Sequence, residues 1–351
     1  VPIPDVLNQL LTAGGPSGYE TAPARVFAEA CAPFAEVRTD VMGSVTARVK
    51  GTGDGPTVAL VGHIDEIGLI VTHIDDKGFL SFTGVGGWDP VILVGQRVEL
   101  TTREGVLAGV VGKKPIHLLK DEERKRAAEI KDLHIDIGAR DGDEAKGLVR
   151  IGDVAVIAGG PVELRNDRVI SRSLDNRLGC YVAHEAARLV AEAGGAVGDV
   201  VAVAAVQEEI TFAGARTVAH ALRPDVAIVI DVTHATDAPG IDEREVGSHP
   251  FGSGPVIERG STLHPAVFEL LHEAAEAEDV PFTVSASARY TGTDADAIHV
   301  SRDGIPTGLI GLPLRYMHSP VEMVQLDDIA NAARLAAAFA RRLTAGQVFE
   351  R

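Results

Sequence analysis

The sequence predicts an α/β protein: an open mixed sheet covered by helices, with a small β-rich domain inserted into it. Two observations carry that expectation. The continuous apolar runs Val200–Val206 and Val226–Ile230 are bounded by polar residues, as strands buried on both faces are, and they alternate with stretches of helical period. Between about His73 and Leu164 the texture changes to short strand-like pieces punctuated by glycines, the rhythm of a small barrel or sandwich. The expected division is a discontinuous main domain, residues 1–72 and 165–351, around an insertion, residues 73–164.

Asp5–Thr12 reads as a short helix stopped by Gly14-Gly15-Pro16, and Ala22–Ala32 as a second. Val45–Val49 and Thr57–Val61 read as strands on either side of a turn-forming stretch, Gly51 to Pro56. Ile67–Ile74 is a further apolar run with β-branched residues. Inside the insertion, Val91–Val94, Arg97–Leu100 and Val106–Val111 are strand candidates, and the mixed charges of Lys120–Lys131 suit a solvated helix or loop. Leu178, Val182, Ala186 and Leu189-Val190 repeat at helical spacing. Ala266–Ala277 and Ala295–Val300 read as helices, Thr307–Ile310 as a short strand, and the Ala-rich Ile329–Leu343 as a terminal helix.

The chain has 351 residues, 45% of them apolar, enough for a sizeable core. A net charge of −17 argues against nucleic acid or an anionic membrane as partner. Two cysteines, Cys31 and Cys180, make no disulfide framework, and the composition is that of a cytoplasmic protein. No apolar segment is long enough to span a bilayer, and Val1-Pro2-Ile3-Pro4-Asp5 shows no secretory signal.

Metal-liking residues stand where the apolar runs end. His63 and Asp65 lie two apart at the end of a strand-like run, so both side chains share a face. Asp175 precedes a helix, and the local pattern favours a helix N-cap there, but a carboxylate has two oxygens and can also bridge two cations. Glu208 and Glu209 follow a buried run, where a metal would relieve their mutual repulsion; a charged turn is the competing reading. Asp231 ends the next buried run, with His234 close behind as a candidate substrate contact. His318 is followed by Pro320, which stiffens the chain there. His73, His117, His134, His184, His220 and His272 read as surface or core residues. Open α/β sheets bind ligands beyond the carboxyl ends of their strands, so these residues form one candidate site.

At this point the chain resembles the tetrahedral metallo-aminopeptidases, also labelled glutamyl aminopeptidase or endoglucanase. The matching motifs include Ser17-Gly18-Tyr19-Glu20, Gly62-His63-Ile64-Asp65-Glu66-Ile67-Gly68, Asp175-Asn176-Arg177-Leu178-Gly179-Cys180, Gln207-Glu208-Glu209, Thr293-Asp294-Ala295 and Met317-His318-Ser319-Pro320-Val321-Glu322, in family order over nearly the whole chain. The resemblance implies a sheet of the zinc-exopeptidase type and two divalent ions, zinc or cobalt, with manganese also compatible. Asp175 would bridge them, with His63 and Asp231 completing one position and Glu209 and His318 the other. Glu208 would be the general base, and Asp65 would orient His63. The insertion would be a dimerisation domain and the homo-oligomer a dodecamer acting on short peptides with a free N-terminus. The chain departs from the family pattern at Ile210–Ala213 and at Asp296.

Three rivals stand beside that reading. A deacylase or carboxypeptidase on a related fold would use the same ions on another substrate. A glycosidase also uses paired carboxylates, but aromatics are 4% of residues and Trp88 is the single tryptophan, which leaves little to stack on sugars. A non-catalytic assembly protein would have no need of Glu208 beside a full ligand set.

Overall fold

The computed structural model describes residues 2–350. The chain opens with helices Asp5–Thr12 and Thr21–Cys31, followed by β1 (Glu36–Thr39), β2 (Val45–Val49) and β3 (Val58–His63). Then come β4 (Gly68–Ile74), β5 (Leu80–Val85), β6 (Arg97–Thr102), β7 (Gly105–Lys113), β8 (Leu133–Asp136) and β9 (Val154–Ile157). These six close into a barrel of order β4-β5-β8-β7-β6-β9. The barrel begins at Gly68, upstream of the composition change at His73. Leu69, Val71 and Ile74 pack inside it, and such an apolar run looks the same whether it belongs to a barrel or to a sheet. Val91–Val94 is not a strand: Asp89 caps a helical turn, Pro90–Leu93, there. Lys120–Lys131 is exposed, with Arg126 paired to Glu129 and Asp132.

β10 (Val162–Leu164) and β11 (Arg168–Ser171) return the chain to the main body. β12 (Val200–Ala205), β13 (Val226–His234), β14 (Val256–Gly260), β15 (Thr283–Ser287), β16 (Thr307–Leu314) and β17 (Glu322–Gln325) follow, separated by helices. The main sheet has eight strands in the order β1-β2-β12-β3-β13-β16-β14-β15. Its centre, β12-β3-β13-β16, is parallel, whereas β2 and β14 join it antiparallel, so the sheet is mixed. All-apolar runs become central strands because helices cover both faces. The long helices Leu174–Glu192 and Leu326–Arg342 pack on one face, and Ala213–Leu222 with Ala295–Ile298 on the other. β10, β11 and β17 form a small antiparallel sheet beside them.

β13 runs on past the apolar residues to His234, still paired with β16. Asp231 is therefore inside a strand rather than at its end, and this holds its carboxylate on a defined face of the pleat.

Candidate metal centre

Pleat and register set the first two side chains. His63 pairs with Ala205, Val61 with both Val203 and Val229, and Asp231 with Gly311. Side chains at even spacing share a face, so His63 and Asp231 both point to the side covered by Ala213–Leu222.

Asp175 arrives from the opposite face on the helix Leu174–Glu192. That approach needs glycines. A Cβ on Gly62 would lie 2.3 Å from the carbonyl carbon of Gly179, and one on Gly179 would lie 2.3 Å from the Ile230 oxygen. Asp175 and Asn176 are not helical, and the peptide between them is cis. The capping that a local reading offers to Asp175 is done by its neighbour. Asn176 Oδ1 accepts from the Gly179 N–H at 2.8 Å, and its Nδ2 donates to the Ile230 carbonyl at 2.8 Å. Asp175 is thereby left with one oxygen 3.1 Å from His63 Nε2 and the other 3.5 Å from His318 Nε2.

Gln207, in the left-handed region, turns the chain out of β12 into the short helix Glu208–Thr211. Glu209 then lies 3.3 Å from His318 Nε2, and Glu208 lies 3.6 Å from His63 Nε2. Asp231 is 4.0 Å from the same His63 nitrogen. Each imidazole turns its other nitrogen towards a fixed oxygen. His318 Nδ1 donates to the Gly87 carbonyl at 2.9 Å, and His63 Nδ1 is 3.3 Å from Asp65. Each Nε2 is thus turned towards the acids, as metal-ligating imidazoles require. Gly87 lies just beyond β5 of the barrel, so the insertion helps to orient a histidine of the site.

Asp65 is fully buried and well supported. It accepts from Ser17 Oγ at 2.5 Å and from the N–H groups of Glu208 and Glu209 at 3.1 and 3.2 Å. Sequence reasoning gave no role to Glu322, yet its buried carboxylate accepts the N–H of Asp175 at 3.0 Å and of His318 at 2.9 Å. The available signal was one acid inside the apolar stretch Val321–Val324. Glu66, two residues from Ile64 and next to Asp65, is also buried. It receives Arg172 and Arg177, and Arg177 Nε donates to the Ile64 carbonyl at 2.6 Å. Asp294 is buried behind the site, and burial pushes its carboxyl up to about 7. Cys180 is buried, and burial raises its thiol far above the ordinary range. Of the departures from the family pattern, Ile210, Thr211 and Phe212 line the cleft. Asp296 instead accepts the N–H groups of Thr291 and Gly292 and shapes the loop.

The electrostatics favour cations. Burial pushes the Glu208 carboxyl up to about 10 and raises those of Asp231 and Glu209. Asp175 goes the other way: burial opposes it, but the two histidines hold it well below the usual carboxylate range. His318, bonded to Asp175 and Glu209, is pushed up to about 11. Among the described residues lining the cleft there is no lysine or arginine. Four acids and two imidazoles without a basic partner form a donor set that fits divalent ions. The tightest groupings are His63-Asp175-Glu209 and His63-Glu208-Asp231, with ligand atoms within 4.8 Å of one another. The second brings Glu208 into the immediate neighbourhood of a ligand position.

An open mixed sheet that carries such donors on its central parallel strands and the turns that follow them defines a candidate metal centre. Residues 43–335 match the family described as M42 glutamyl aminopeptidase, and the chain belongs to that family. It is an aminopeptidase of a metal-dependent class. The lysyl aminopeptidase of Pyrococcus furiosus is 34% identical over 343 residues, 97% of either chain. The TET aminopeptidase of the marine sediment archaeon Thaumarchaeota archaeon SCGC AB-539-E09 superimposes with a TM-score of 0.91 at 36% identity, covering 96% of this chain and 95% of that one. The TET1 peptidase of Pyrococcus horikoshii, described as assembling into a tetrahedron or a large octahedral shell, gives 0.85 at 31% identity, covering 97% and 99%.

Proposed function

We propose that the protein is a co-catalytic di-metal aminopeptidase that releases N-terminal residues from short peptides. The observation that supports this best is Asp175, whose two oxygens face two different imidazoles. A carboxylate so placed would offer one oxygen to each of two divalent ions. In this reading His63 and Asp231 complete one position, and Glu209 and His318 the other. Zinc and cobalt suit these donors, as does manganese.

When bound, such ions polarise the scissile carbonyl and acidify the attacking water. Glu208 takes that water's proton on its carboxylate and hands it to the leaving amine. Burial among other acids raises the proton affinity of Glu208 in the metal-free centre, and bound cations would lower it towards the range in which a carboxylate can serve as a base. Asp65 keeps the His63 ring in place.

We further assign residues 73–164 a contact role in a dodecamer. Val106, Val110, Ile116 and Leu118 are exposed on this part of the chain, where an apolar surface favours association. A monomeric mass by light scattering would sink that assignment.

Hydrolysis of aminoacyl anilides, free and N-acylated, tests the chemistry. The assay is run with added Co, Zn or Mn, before and after chelation. Turnover of free-amine substrates alone, lost on chelation and restored by metal, is expected. Equal turnover of blocked substrates would point to the deacylase reading, and activity that survives chelation would overturn the di-metal one.

A further inference from the structure

We propose that Glu258 is the residue that selects the substrate, favouring a lysine or arginine side chain at the peptide N-terminus. The inference rests on the aminopeptidase reading above and concerns the same cleft.

The cleft is about 550 Å³ and continues away from the acids and imidazoles of the centre over the sheet face. Register defines its floor. Asp231 pairs with Gly311, Val256 with Gly311, Glu258 with Leu309, and Ser285 with Glu258. All these side chains are on one face, so Glu258 and Asp231 point into the same space. Two strand spacings and a two-residue offset put their backbones roughly 12 Å apart. A long side chain extending from a peptide held at Asp231 can cross that gap.

Beyond the centre itself, the ionisable residues lining the cleft are Glu258 and the exposed His234. Val246, Leu309, Thr291 and Thr293 supply apolar or neutral walls. Glu258 is half-buried, and among the described residues it has no ion-pair partner. The neighbouring Arg259 points to the other face, where it stacks over Phe268 at 5.3 Å. Burial raises the Glu258 carboxyl; a bond from Ser287 opposes this, and Asp296 reinforces it. An arriving ammonium or guanidinium relieves that unfavourable charge. An aliphatic side chain leaves the carboxylate unpaired, and an acidic one is repelled.

The family description names glutamyl and one relative is named lysyl, so the names point to opposite charges. The acid in the cleft decides between them on chemistry.

The test is steady-state hydrolysis of Lys-, Arg-, Leu- and Glu-anilides by the metal-loaded full chain, comparing wild type with Glu258→Gln and Glu258→Lys. Wild type should prefer Lys and Arg, and Glu258→Gln should lower the Lys:Leu ratio of kcat/KM by about 30-fold. Glu258→Lys should move the preference towards Glu, which a merely structural role would not do. A ratio unchanged in both variants, or a wild-type preference for Glu, overturns the inference while leaving the aminopeptidase reading standing. Failure to cleave any free-amine anilide overturns both. Leu-anilide turnover and the melting temperature of each variant report whether it is folded.

Discussion

Asp65 shows how far a single buried acid can organise a site. One carboxylate receives a serine hydroxyl and two backbone N–H groups and also lies against His63. It therefore aligns an imidazole and the Glu208-Glu209 turn together. Asp65→Asn should weaken metal binding by about 10–100-fold, as measured by competition with a chromogenic chelator. Unchanged affinity would show that Ser17 and the turn suffice alone. Glu208→Gln should keep full metal content but lower kcat by at least about 100-fold; near-normal turnover would remove Glu208 from the base role. At this scale local pattern gave the residue types, and the roles expected of them came from the family resemblance alone. Asp175 and Asn176 are adjacent and both suit a cap, and only the backbone path shows that Asn176 caps while Asp175 faces the histidines.

At the scale of elements, close packing of a helix on strands delivers Asp175. Gly62 and Gly179 allow Leu174–Glu192 to approach β3 and β13 so closely that either Cβ would strike backbone. Gly179→Ala should cost about 1–3 kcal/mol in stability and weaken metal binding along with it, as read by thermal melts with and without added metal. Gly147, in the helix Gly142–Leu148, has open space around it. Gly147→Ala is the control, and it should be neutral or gain about 0.4–1 kcal/mol. Helical period and buried apolar runs made most of these elements legible. The register of β13 past Ile230 was not, because Asp231, Thr233 and His234 break the apolar pattern while the backbone pairing continues.

For the whole molecule, four acids gathered around two imidazoles where metals are expected have a pH consequence. Burial, opposed by His63 and aided by Asp231, pushes Glu208 up to about 10. A carboxyl raised in the fold contributes stability that is complete below its unfolded value and is lost as pH rises towards its folded value. His318, raised to about 11, acts with the same sign. The chelated protein should therefore lose stability between about pH 5 and pH 8, while metal-loaded protein, whose cations replace the missing protons, loses less. The gap in melting temperature should widen with pH, and a constant gap would mean that the site does not couple to metal in this way. Among the described residues no helix is long and apolar enough to cross a membrane. The barrel reaches back to the sheet, where the Gly87 carbonyl orients His318.

The sequence alone determined the class of fold, the inserted β-rich unit and the residue types of the site, because period and composition are local properties of the chain. Which oxygen faces which imidazole was decided by tertiary structure, as was the burial of Glu322 beneath the site and the placing of Glu258 on the same sheet face as Asp231. Those relations come from strand register and helix approach between segments far apart in sequence, and no local pattern encodes them.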